Sequence, residues 1–441
     1  MIRKPILPAD PEQALTGSMR DFRELDGPDL LARVEPFFRW QETRRENGLW
    51  AYSKTTQEAP LAECTARDEI GESYQGINFG SQDYLGLSSD PEIKETAKAV
   101  IDEYGVHSAG SSALAGNTKY SAQLERTISE FLNLKHTILY PTGWAAGYGV
   151  IKGLVRPHDH VVLDGLAHAC LQEGATSATP NVRQLERIRR HDTQNAILVV
   201  TESLFSMDSD TPDLAALQDL CREFNATLLV DVAHDLGCIA EDGRGFIGQQ
   251  QMLGKIDIVM GSFSKTFGSN GGFVSCNSPA VRQYLKFYGC SATFSNTLSP
   301  VQAATVIKAF EIVQSERGRW LREQLMNRVL LLREKLAAEA LELIGVPSAI
   351  VPVVVGDEAF ARLVSRQLPA WGIVANMVEF PAVAKGNARF RLQVMPGHSP
   401  DHITTFVTRF LGAIEAARVD YERYRTRGSS QKQEPQLAHV A

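Results

Sequence analysis

Short apolar runs alternate with stretches of helical periodicity between residues 121 and 296. The runs cover His136–Tyr140, His160–Leu163, 196–201, 226–230, 256–260 and Gly272–Cys276. Residues 214–224 lie between two of them and carry apolar side chains three and four positions apart, which is the spacing of an amphipathic helix. Unbroken apolar strands separated by helices predict an α/β fold with a mainly parallel sheet between layers of helices.

The regions on either side of this pattern predict other elements. Residues 27–47 and Pro91–Tyr104 have apolar residues at helical spacing, and residues 300–343 predict one or two long helices. Residues 348–355 and 389–394 predict strands, and residues 401–424 predict a closing helix. The chain therefore divides into an N-terminal arm with a helix and a connecting segment (1–90), a large domain (91–300), a smaller C-terminal α+β domain (301–425) and a disordered polar tail (426–441).

Composition excludes several classes of protein. The 441 residues are 44% hydrophobic and 22% charged, as in an ordinary globular protein. The net charge of −7 predicts no nucleic-acid partner. The six cysteines lack zinc-ligand spacing, which predicts no metal site and a cytoplasmic location. No apolar run is long enough for a transmembrane helix, although peripheral contact of the 27–47 helix with a membrane surface stays open.

The strongest candidate chemistry lies just after two of the predicted strands, where parallel sheets bind ligands. Lys265 follows the run 256–260 in a turn rich in Gly and Ser, a place suited to a Schiff-base lysine but also to a solvated surface lysine. Asp231 ends the run 226–230, where a carboxylate is costly unless it meets a cation. The pyridinium nitrogen of pyridoxal 5′-phosphate (PLP) is such a cation, and His234 could reach the phenolic oxygen of the same ring. Together the three residues predict a PLP site.

Three further strand ends carry weaker signals. Gly143 and Trp144 begin a helix after His136–Tyr140, and amides at a helix start bind phosphate, although this is also a common connection. His168 follows His160–Leu163 and either stacks on a cofactor or is a satisfied histidine at a strand end. The polar cluster from Glu202 to Asp210 has the composition of an ordinary turn.

Taken together, these motifs resemble the PLP-dependent α-oxoamine synthases of fold type I, which include serine palmitoyltransferase, aminooxononanoate synthase, glycine C-acetyltransferase and aminolevulinate synthase. The likeness extends from about Asn78 to Val407. The segments that carry it are residues 78–87, 142–147, 164–168, 202–210, 231–234, 262–265, 294–300 and 391–398. The resemblance implies the fold type I PLP-dependent transferase architecture, with the cofactor in the 91–300 domain.

The resemblance also implies a role for each matching residue. Lys265 would bind the cofactor covalently and act as general base, with Asp231 on the ring nitrogen, His234 on the phenolic oxygen and His168 stacked on the ring. His168 could also polarise the thioester carbonyl. Gly143, Trp144 and Ser262 would hold the phosphate, and Ser295 would reach the cofactor of the neighbouring subunit in a homodimer with shared active sites. The remaining implied residues are Glu202 and Ser206 at the cofactor, and Gln82 and Arg391 at the substrate.

The reaction implied is condensation of an amino acid with an acyl thioester and loss of carbon dioxide. Residues 262–268, 271–273 and 375–377 are most similar to the serine palmitoyltransferase form, which makes 3-ketosphinganine from L-serine and a long-chain acyl-CoA. Gln82, Ser112 and Val232 depart from the family pattern and leave both substrates open, including whether the acyl group is carried by coenzyme A or by a carrier protein. An aminotransferase or a carbon–carbon lyase stays an alternative, whereas Lys265 argues against a non-catalytic partner subunit.

Overall fold

The computed structural model describes residues 14–68, 71–181 and 185–431; residues 1–13 of the predicted arm and 432–441 of the predicted tail lie outside them. Its strands are β1 (Thr55–Thr56), β2 (Glu63–Arg67), β3 (Ser73–Asn78), β4 (His136–Tyr140), β5 (His160–Leu163), β6 (Ile197–Glu202), β7 (Thr227–Asp231), β8 (Ile258–Ser262), β9 (Gly272–Cys276), β10 (Glu342–Leu343), β11 (Ile350–Gly356), β12 (Ile373–Val374), β13 (Asn376–Val378) and β14 (Ala388–Gln393).

The helices in the described ranges follow the same chain order. They are α1 (Glu35–Glu46), α2 (Pro91–Tyr104), α3 (Lys119–Leu132), α4 (Gly143–Leu154), α5 (Ala169–Ala178), α6 (Leu185–His191), α7 (Leu214–Glu223), α8 (Gly245–Gln249), α9 (Pro279–Tyr288), α10 (Cys290–Thr293), α11 (Pro300–Val313), α12 (Glu316–Ala338), α13 (Glu358–Gln367) and α14 (Pro400–Gln431). Short 3₁₀ turns span Met19–Phe22 and Ala32–Val34.

Six strands form the central sheet, in the order β4-β9-β8-β7-β6-β5. The strands β5, β6, β7 and β8 run parallel, and β9 is antiparallel to both of its neighbours, so β4 points in the same direction as β8. Each apolar run identified in the sequence forms one of these strands, with small shifts at the ends. The predicted α/β fold with a mainly parallel sheet is therefore confirmed.

Both faces of the central sheet are buried. On β6, Val199 packs into one apolar cluster, whereas Leu198 and Val200 pack into another on the opposite face. Residues Val259 and Met260 of β8 divide between the two clusters in the same way. Burial on both faces explains why these strands read as unbroken apolar runs instead of alternating polar and apolar positions.

Two smaller sheets complete the fold. One has the order β10-β11-β14-β13 and is built from residues 342–393. The other has the order β1-β2-β3-β12, with β12 parallel to β3. Strands from residues 55–78 and from residues 373–374 are therefore joined through the backbone of one sheet.

The N-terminal helix is shorter than the sequence pattern predicts. The pattern covers residues 27–47, whereas a 3₁₀ turn at Ala32–Val34 leads into α1 at Glu35. Pro36 lies in the first turn of α1, where a missing backbone N–H is tolerated; further inside a helix, proline would break a hydrogen bond. Helix α1 therefore begins next to its proline.

A buried ion cluster fastens the N-terminal arm, through Gly17 and Arg44, to α13 and to the residue after β13. The Glu379 carboxylate accepts a 2.7 Å hydrogen bond from Nε of Arg362 and lies 3.5 Å from Nη1 of Arg44. Both guanidinium groups also donate to the carbonyl oxygen of Gly17, at 2.9 and 3.0 Å. Burial lowers the pKa of Arg44 to about 10, so the group stays charged at neutral pH. The Glu379 carboxylate is thus the counter-charge for two buried guanidinium groups, and backbone carbonyl oxygens of the arm accept further hydrogen bonds from them.

The C-terminal helix corrects the predicted start of the tail. Sequence pattern ends this helix at residue 424 and begins the tail at residue 426, whereas α14 continues to Gln431. The backbone of α14 therefore continues past Tyr424 into a segment whose polar composition predicted the tail. Among the described residues, no helix combines the length and apolar composition needed to cross a membrane.

Candidate active site

A cavity of about 270 Å³ opens at the carboxyl edge of the parallel strands. Its walls come from the segments that follow β4, β5, β7 and β8 and from the segment that precedes β9. The cavity brings together seven residues predicted from the sequence, namely Gly143, Trp144, His168, Asp231, His234, Ser262 and Lys265. Three strands of one sheet, β5, β7 and β8, thus deliver an amine, a carboxyl group and two imidazoles to a single space.

Lys265 and Asp231 dominate the electrostatics of this space. Burial lowers the pKa of the Lys265 amine, and the nearby carboxyl groups of Asp231 and Glu202 act in the opposite direction. Burial raises the pKa of Asp231, and the charge of Lys265 partly offsets this effect. The lysine is therefore biased towards the neutral amine that a nucleophile or base requires.

His168 caps the amino terminus of α5 with its side chain. Its Nδ1 accepts a hydrogen bond from the amide of Cys170 at 3.3 Å and lies 3.1 Å from the thiol of that residue. Burial lowers the pKa of His168. Because Nδ1 is an acceptor, the neutral ring carries its proton on Nε2, the atom that is left for the cavity.

Backbone contacts fix His168 from a neighbouring strand end. The amide of His168 donates a 2.6 Å hydrogen bond to Oε1 of Glu202, at the end of β6. Burial raises the pKa of Glu202 well above its ordinary value, and Asp231 adds to the effect. Glu202 therefore holds the loop that carries His168 and does not line the cavity itself.

His234 is fully surrounded by protein on the side away from the cavity. Its Nδ1 lies 2.8 Å from the hydroxyl oxygen of Tyr84, which is wholly buried. Burial lowers the pKa of His234 well below its ordinary value, and the charges of Lys265 and Arg391 add to the effect. His234 is thus a neutral imidazole.

The turn that carries Asp231 and His234 is supported from behind by Asp235. The Asp235 carboxyl group contacts the hydroxyl of Ser203 at 2.6 Å and the amide of Phe246 at 2.7 Å. Burial raises the pKa of Asp235 to about 7. Ser203 also donates to the carbonyl oxygen of Asp231, at 3.1 Å, so a chain of polar contacts links Asp235 to the strand end.

The start of α4 has the geometry that suits an anion. Thr142 caps the helix through a 3.0 Å hydrogen bond from the amide of Ala145 to its hydroxyl. A side chain at Gly143 would collide with Ser262, so only glycine lets the helix start approach β8 this closely. The hydroxyl of Ser262 lies 2.7 Å from that of Ser264, beside the exposed amides of the first turn. Helix amides with adjacent hydroxyls are a common setting for phosphate.

Arg391 presents an unused hydrogen-bond donor. The residue lies on β14 and is buried, and its Nη2 has no hydrogen-bond partner among the described residues. Burial of His168 and Lys265 is the main cause of their lowered pKa values, and the positive charge of Arg391 lowers both further. A guanidinium that is buried, close to the cavity and short of an acceptor suits a carboxylate ligand.

The other residues named from the sequence lie away from these walls. Gln82 and Ser295 are half-buried, Ser206 is buried, and none of them lines the cavity of a single chain. Pattern reasoning also overlooked Tyr84 and Cys170, which contact the two histidines. Tyr84 lies in segment 78–87, which carries part of the family resemblance. Nothing in the sequence indicates that its hydroxyl contacts His234, 150 positions away.

The residues present fit PLP. An amine, a buried carboxyl group, two neutral imidazoles and a helix start surround one space of suitable polarity. The carboxyl group of Asp231 accepts one hydrogen bond, from the amide of Ala233, and retains a second oxygen for a cationic ring nitrogen.

Comparison with known proteins agrees with this chemistry. Residues 74–410 match the family model for aminotransferase class I and II. The 8-amino-7-oxononanoate synthase of Pectobacterium atrosepticum is 33% identical over 340 residues, which cover 75% of this chain and 87% of that enzyme. The 4-hydroxy-2,2′-bipyrrole-5-methanol synthase PigH of Serratia sp. is 30% identical over 88% of this chain, which spans only 60% of PigH.

A solved structure is similar along most of the chain. It is a serine palmitoyltransferase from S. paucimobilis with a bound PLP–myriocin aldimine, and the TM-score is 0.82 at 26% sequence identity. The match covers 89% of this chain and 100% of that structure.

Proposed function

Because this chain belongs to the α-oxoamine synthases, within the class I and II aminotransferases, we propose that it condenses a small amino acid with a long-chain acyl thioester. It is a PLP-dependent acyltransferase. The observation that supports the proposal is the meeting of Lys265, Asp231, His168 and His234 in one cavity, with the unpartnered donor of Arg391 nearby.

Bound PLP supplies an aldehyde that joins to amines and a pyridinium ring that draws electrons away from the α-carbon of an amino acid. Asp231, at the end of β7, would hold the ring nitrogen in its protonated form. The helix start at Gly143 and Trp144, with Ser262, would hold the phosphate. His234 would donate to the phenolic oxygen.

Lys265 would move the proton at the α-carbon. Its amine would hold the cofactor covalently and, once freed by the amino group of the substrate, would take the α-proton as a base. After the new carbon–carbon bond has formed and carbon dioxide has left, the same lysine returns a proton to the α-carbon. Burial lowers the pKa of Lys265, which favours the neutral amine that accepts the α-proton.

His168 and Arg391 would bind the two reacting partners. The Nε2 proton of His168 would donate to the carbonyl oxygen of the acyl thioester, where negative charge develops as the α-carbon adds to the carbonyl carbon and is lost again as the thiol leaves. Arg391 would bind the carboxylate of the amino acid until it leaves as carbon dioxide. The balanced products are an α-aminoketone, the thiol and carbon dioxide.

L-Serine and a long-chain acyl-CoA are the substrates that we propose, with 3-ketosphinganine as the product when the acyl group is palmitoyl. Two observations support this choice. Residues 262–268 have the serine palmitoyltransferase form, and the solved relative of that name has a TM-score of 0.82. A carrier-bound acyl group is the competing donor, and the assay below separates the two.

We further propose a cytoplasmic homodimer with shared active sites. Ser295 does not line the cavity of its own chain, and the adjacent Phe294 is 87% exposed. The neighbouring Leu114 is 84% exposed, and Ser111 ties the two segments together by donating to the carbonyl of Thr293 at 2.6 Å. A second copy would cover these apolar side chains and bring Ser295 to its cofactor. All six cysteines are unpaired, which suits a reducing compartment.

A substrate matrix tests the proposal. Purified protein with PLP is incubated with serine, glycine or alanine and with acyl-CoAs or acyl carrier proteins of graded chain length. Release of thiol and carbon dioxide in equal amounts, greatest with serine and a long-chain acyl-CoA, is the expected result. Thiol without carbon dioxide, or conversion of PLP to its amine form without either product, would instead point to a thioesterase or an aminotransferase.

A further inference from the structure

The phenol of Tyr84 and the imidazole of His234 form an isolated pair behind the cavity. The two atoms concerned, Oη and Nδ1, are 2.8 Å apart, and 150 positions separate the residues in the chain. Tyr84 is 0% exposed and His234 is 5% exposed. The contact joins the segment between β3 and α2 to the turn after β7.

The direction of this hydrogen bond follows from counting protons. A buried phenol must donate its single proton, and no other acceptor contacts the Tyr84 hydroxyl in the described part of the chain. If Nδ1 of His234 carried a proton, both atoms would be donors or the phenol proton would be left unpaired. The tyrosine therefore donates and Nδ1 accepts.

The charged states of both groups are excluded by their surroundings. Burial lowers the pKa of His234 well below its ordinary value, so the doubly protonated ring is disfavoured. Burial also raises the pKa of Tyr84, so the phenolate is disfavoured. What remains is a neutral phenol that donates to a neutral imidazole.

We infer that Tyr84 is a positioning residue that keeps the proton of His234 on Nε2 and so makes this atom a permanent donor towards the cavity. His234 lines the cavity, whereas Tyr84 does not. The tyrosine would thus act on the cofactor only through the histidine. This inference rests on the proposed function only in that PLP would supply, through its phenolic oxygen, the acceptor for this donor.

Nitrogen NMR of histidine-labelled, cofactor-free protein tests the inference directly. The chain has 10 histidines, and the signals of His234 are assigned by their loss in His234→Gln. We expect Nε2 to carry the proton and Nδ1 to be the bare, hydrogen-bonded nitrogen. Observation of the proton on Nδ1 in the wild-type protein would overturn the inference, whether or not any variant folds.

Variants test whether Tyr84 is the cause. In Tyr84→Phe we expect a mixture of the two tautomers and about fivefold weaker binding of PLP in a fluorescence titration, as for the loss of one neutral hydrogen bond. Tyr120→Phe is the matched control, because its hydroxyl donates to Glu103 at the surface. An unchanged tautomer in Tyr84→Phe would contradict the inference.

A double variant separates positioning from simple packing. If Tyr84 acts through His234, Tyr84→Phe will not weaken PLP binding further in the His234→Gln background. Equal losses in both backgrounds would show a packing role and overturn the inference. Since these readouts need no turnover, failure of the condensation assay leaves them intact, and their failure leaves the assay intact.

Discussion

The amide of His168 donates a 2.6 Å hydrogen bond to the side chain of Glu202, and this contact joins the loop after β5 to the end of β6. His168 also caps α5 with its ring, so the residue is held at its backbone and at its side chain at the same time. The ring that we place on the cofactor therefore has little freedom to turn.

Replacement of Glu202 tests this restraint. Burial raises its pKa well above the ordinary value, so a neutral amide should replace it well. We expect Glu202→Gln to stay within about threefold of wild-type kcat/KM, and Glu202→Ala to lose about tenfold to a hundredfold, because a buried amide without an acceptor costs about 1–3 kcal/mol. Steady-state kinetics with equal PLP content measures both, and wild-type kinetics in Glu202→Ala would contradict the restraint.

Lys265 is expected to carry the covalent link to the cofactor. Lys265→Ala should bind PLP without forming a bond that borohydride can reduce, and should lose at least about a thousandfold in kcat, because nucleophile and base are removed together. Mass spectrometry after reduction gives the modified residue. Lys98→Ala, at an exposed surface pair with Glu95, is the control and should behave as wild type. Labelling of another lysine in the wild-type protein would refute the assignment.

Comparison with Arg389 tests whether Arg391 binds the substrate carboxylate or only stabilises the fold. Arg391→Gln should raise the KM for the amino acid about tenfold to a hundredfold, the size expected for a lost hydrogen bond between charged groups, and leave the KM for the thioester unchanged. Arg389 lies on the same strand but pairs with Asp208. Arg389→Gln should lower stability and leave both KM values alone; equal effects of the two variants on KM would argue against a specific site.

The pH dependence of the free energy of unfolding should reveal the titration of Asp235. Its pKa is raised from 3.8 to about 7 by burial, so between these values the folded protein holds a proton that the unfolded chain has lost. The free energy of unfolding of the cofactor-free protein should therefore fall as pH rises through this window, by an amount on the order of a few kcal/mol.

Asp235→Asn removes the titrating group while preserving its shape. We expect a flatter profile between pH 4 and 8 and relatively greater stability at the alkaline end, measured as denaturation midpoints in urea. Asp219→Asn changes an exposed carboxylate and is the control. Identical pH profiles for Asp235→Asn and wild type would contradict the prediction.

The buried ion cluster of the arm makes a stability prediction. Glu379→Gln leaves Arg44 and Arg362 as buried cations without a counter-charge, a change that typically costs about 3–5 kcal/mol. Glu95→Gln breaks an exposed pair with Lys98 and should cost less than about 1 kcal/mol. Denaturation midpoints compare the two, and limited proteolysis should show early cleavage near residue 17 only in Glu379→Gln. Similar midpoints would mean that the arm is held in another way.

Local pattern was enough to find the sheet and the residues at its edge. The strands β4, β5 and β9 follow directly from their apolar runs, because burial on both faces leaves no polar interruption. Lys265 and Asp231 could be named because each immediately follows or ends such a run. Their meeting in one cavity then follows from the parallel order of β7 and β8.

Contacts between distant segments could not be predicted in this way. The approach of Tyr84 to His234 depends on how the segment after β3 crosses the sheet edge, and no periodicity in either segment records it. The family resemblance implied Glu202 at the cofactor, and in the structure its carboxyl group accepts a hydrogen bond from the amide of His168, a contact that the motif does not specify. A polar residue at the end of a strand can be predicted to lie near the edge of the sheet. The direction of its side chain depends on residues from distant segments that pack against it.

The anchoring of the arm implies an order of events during protein synthesis. Leu15 and Gly17 are among the first described residues, yet Arg362, which donates hydrogen bonds to their carbonyl oxygens, is translated 347 positions after Leu15. Every residue that lines the cavity has been synthesised once Gly271 is added, and β9, which joins β4 to β8 in the central sheet, follows directly. The central sheet and its cavity residues therefore precede the anchor of the amino-terminal arm in translation, so the arm can be fastened only after most of the chain has been made.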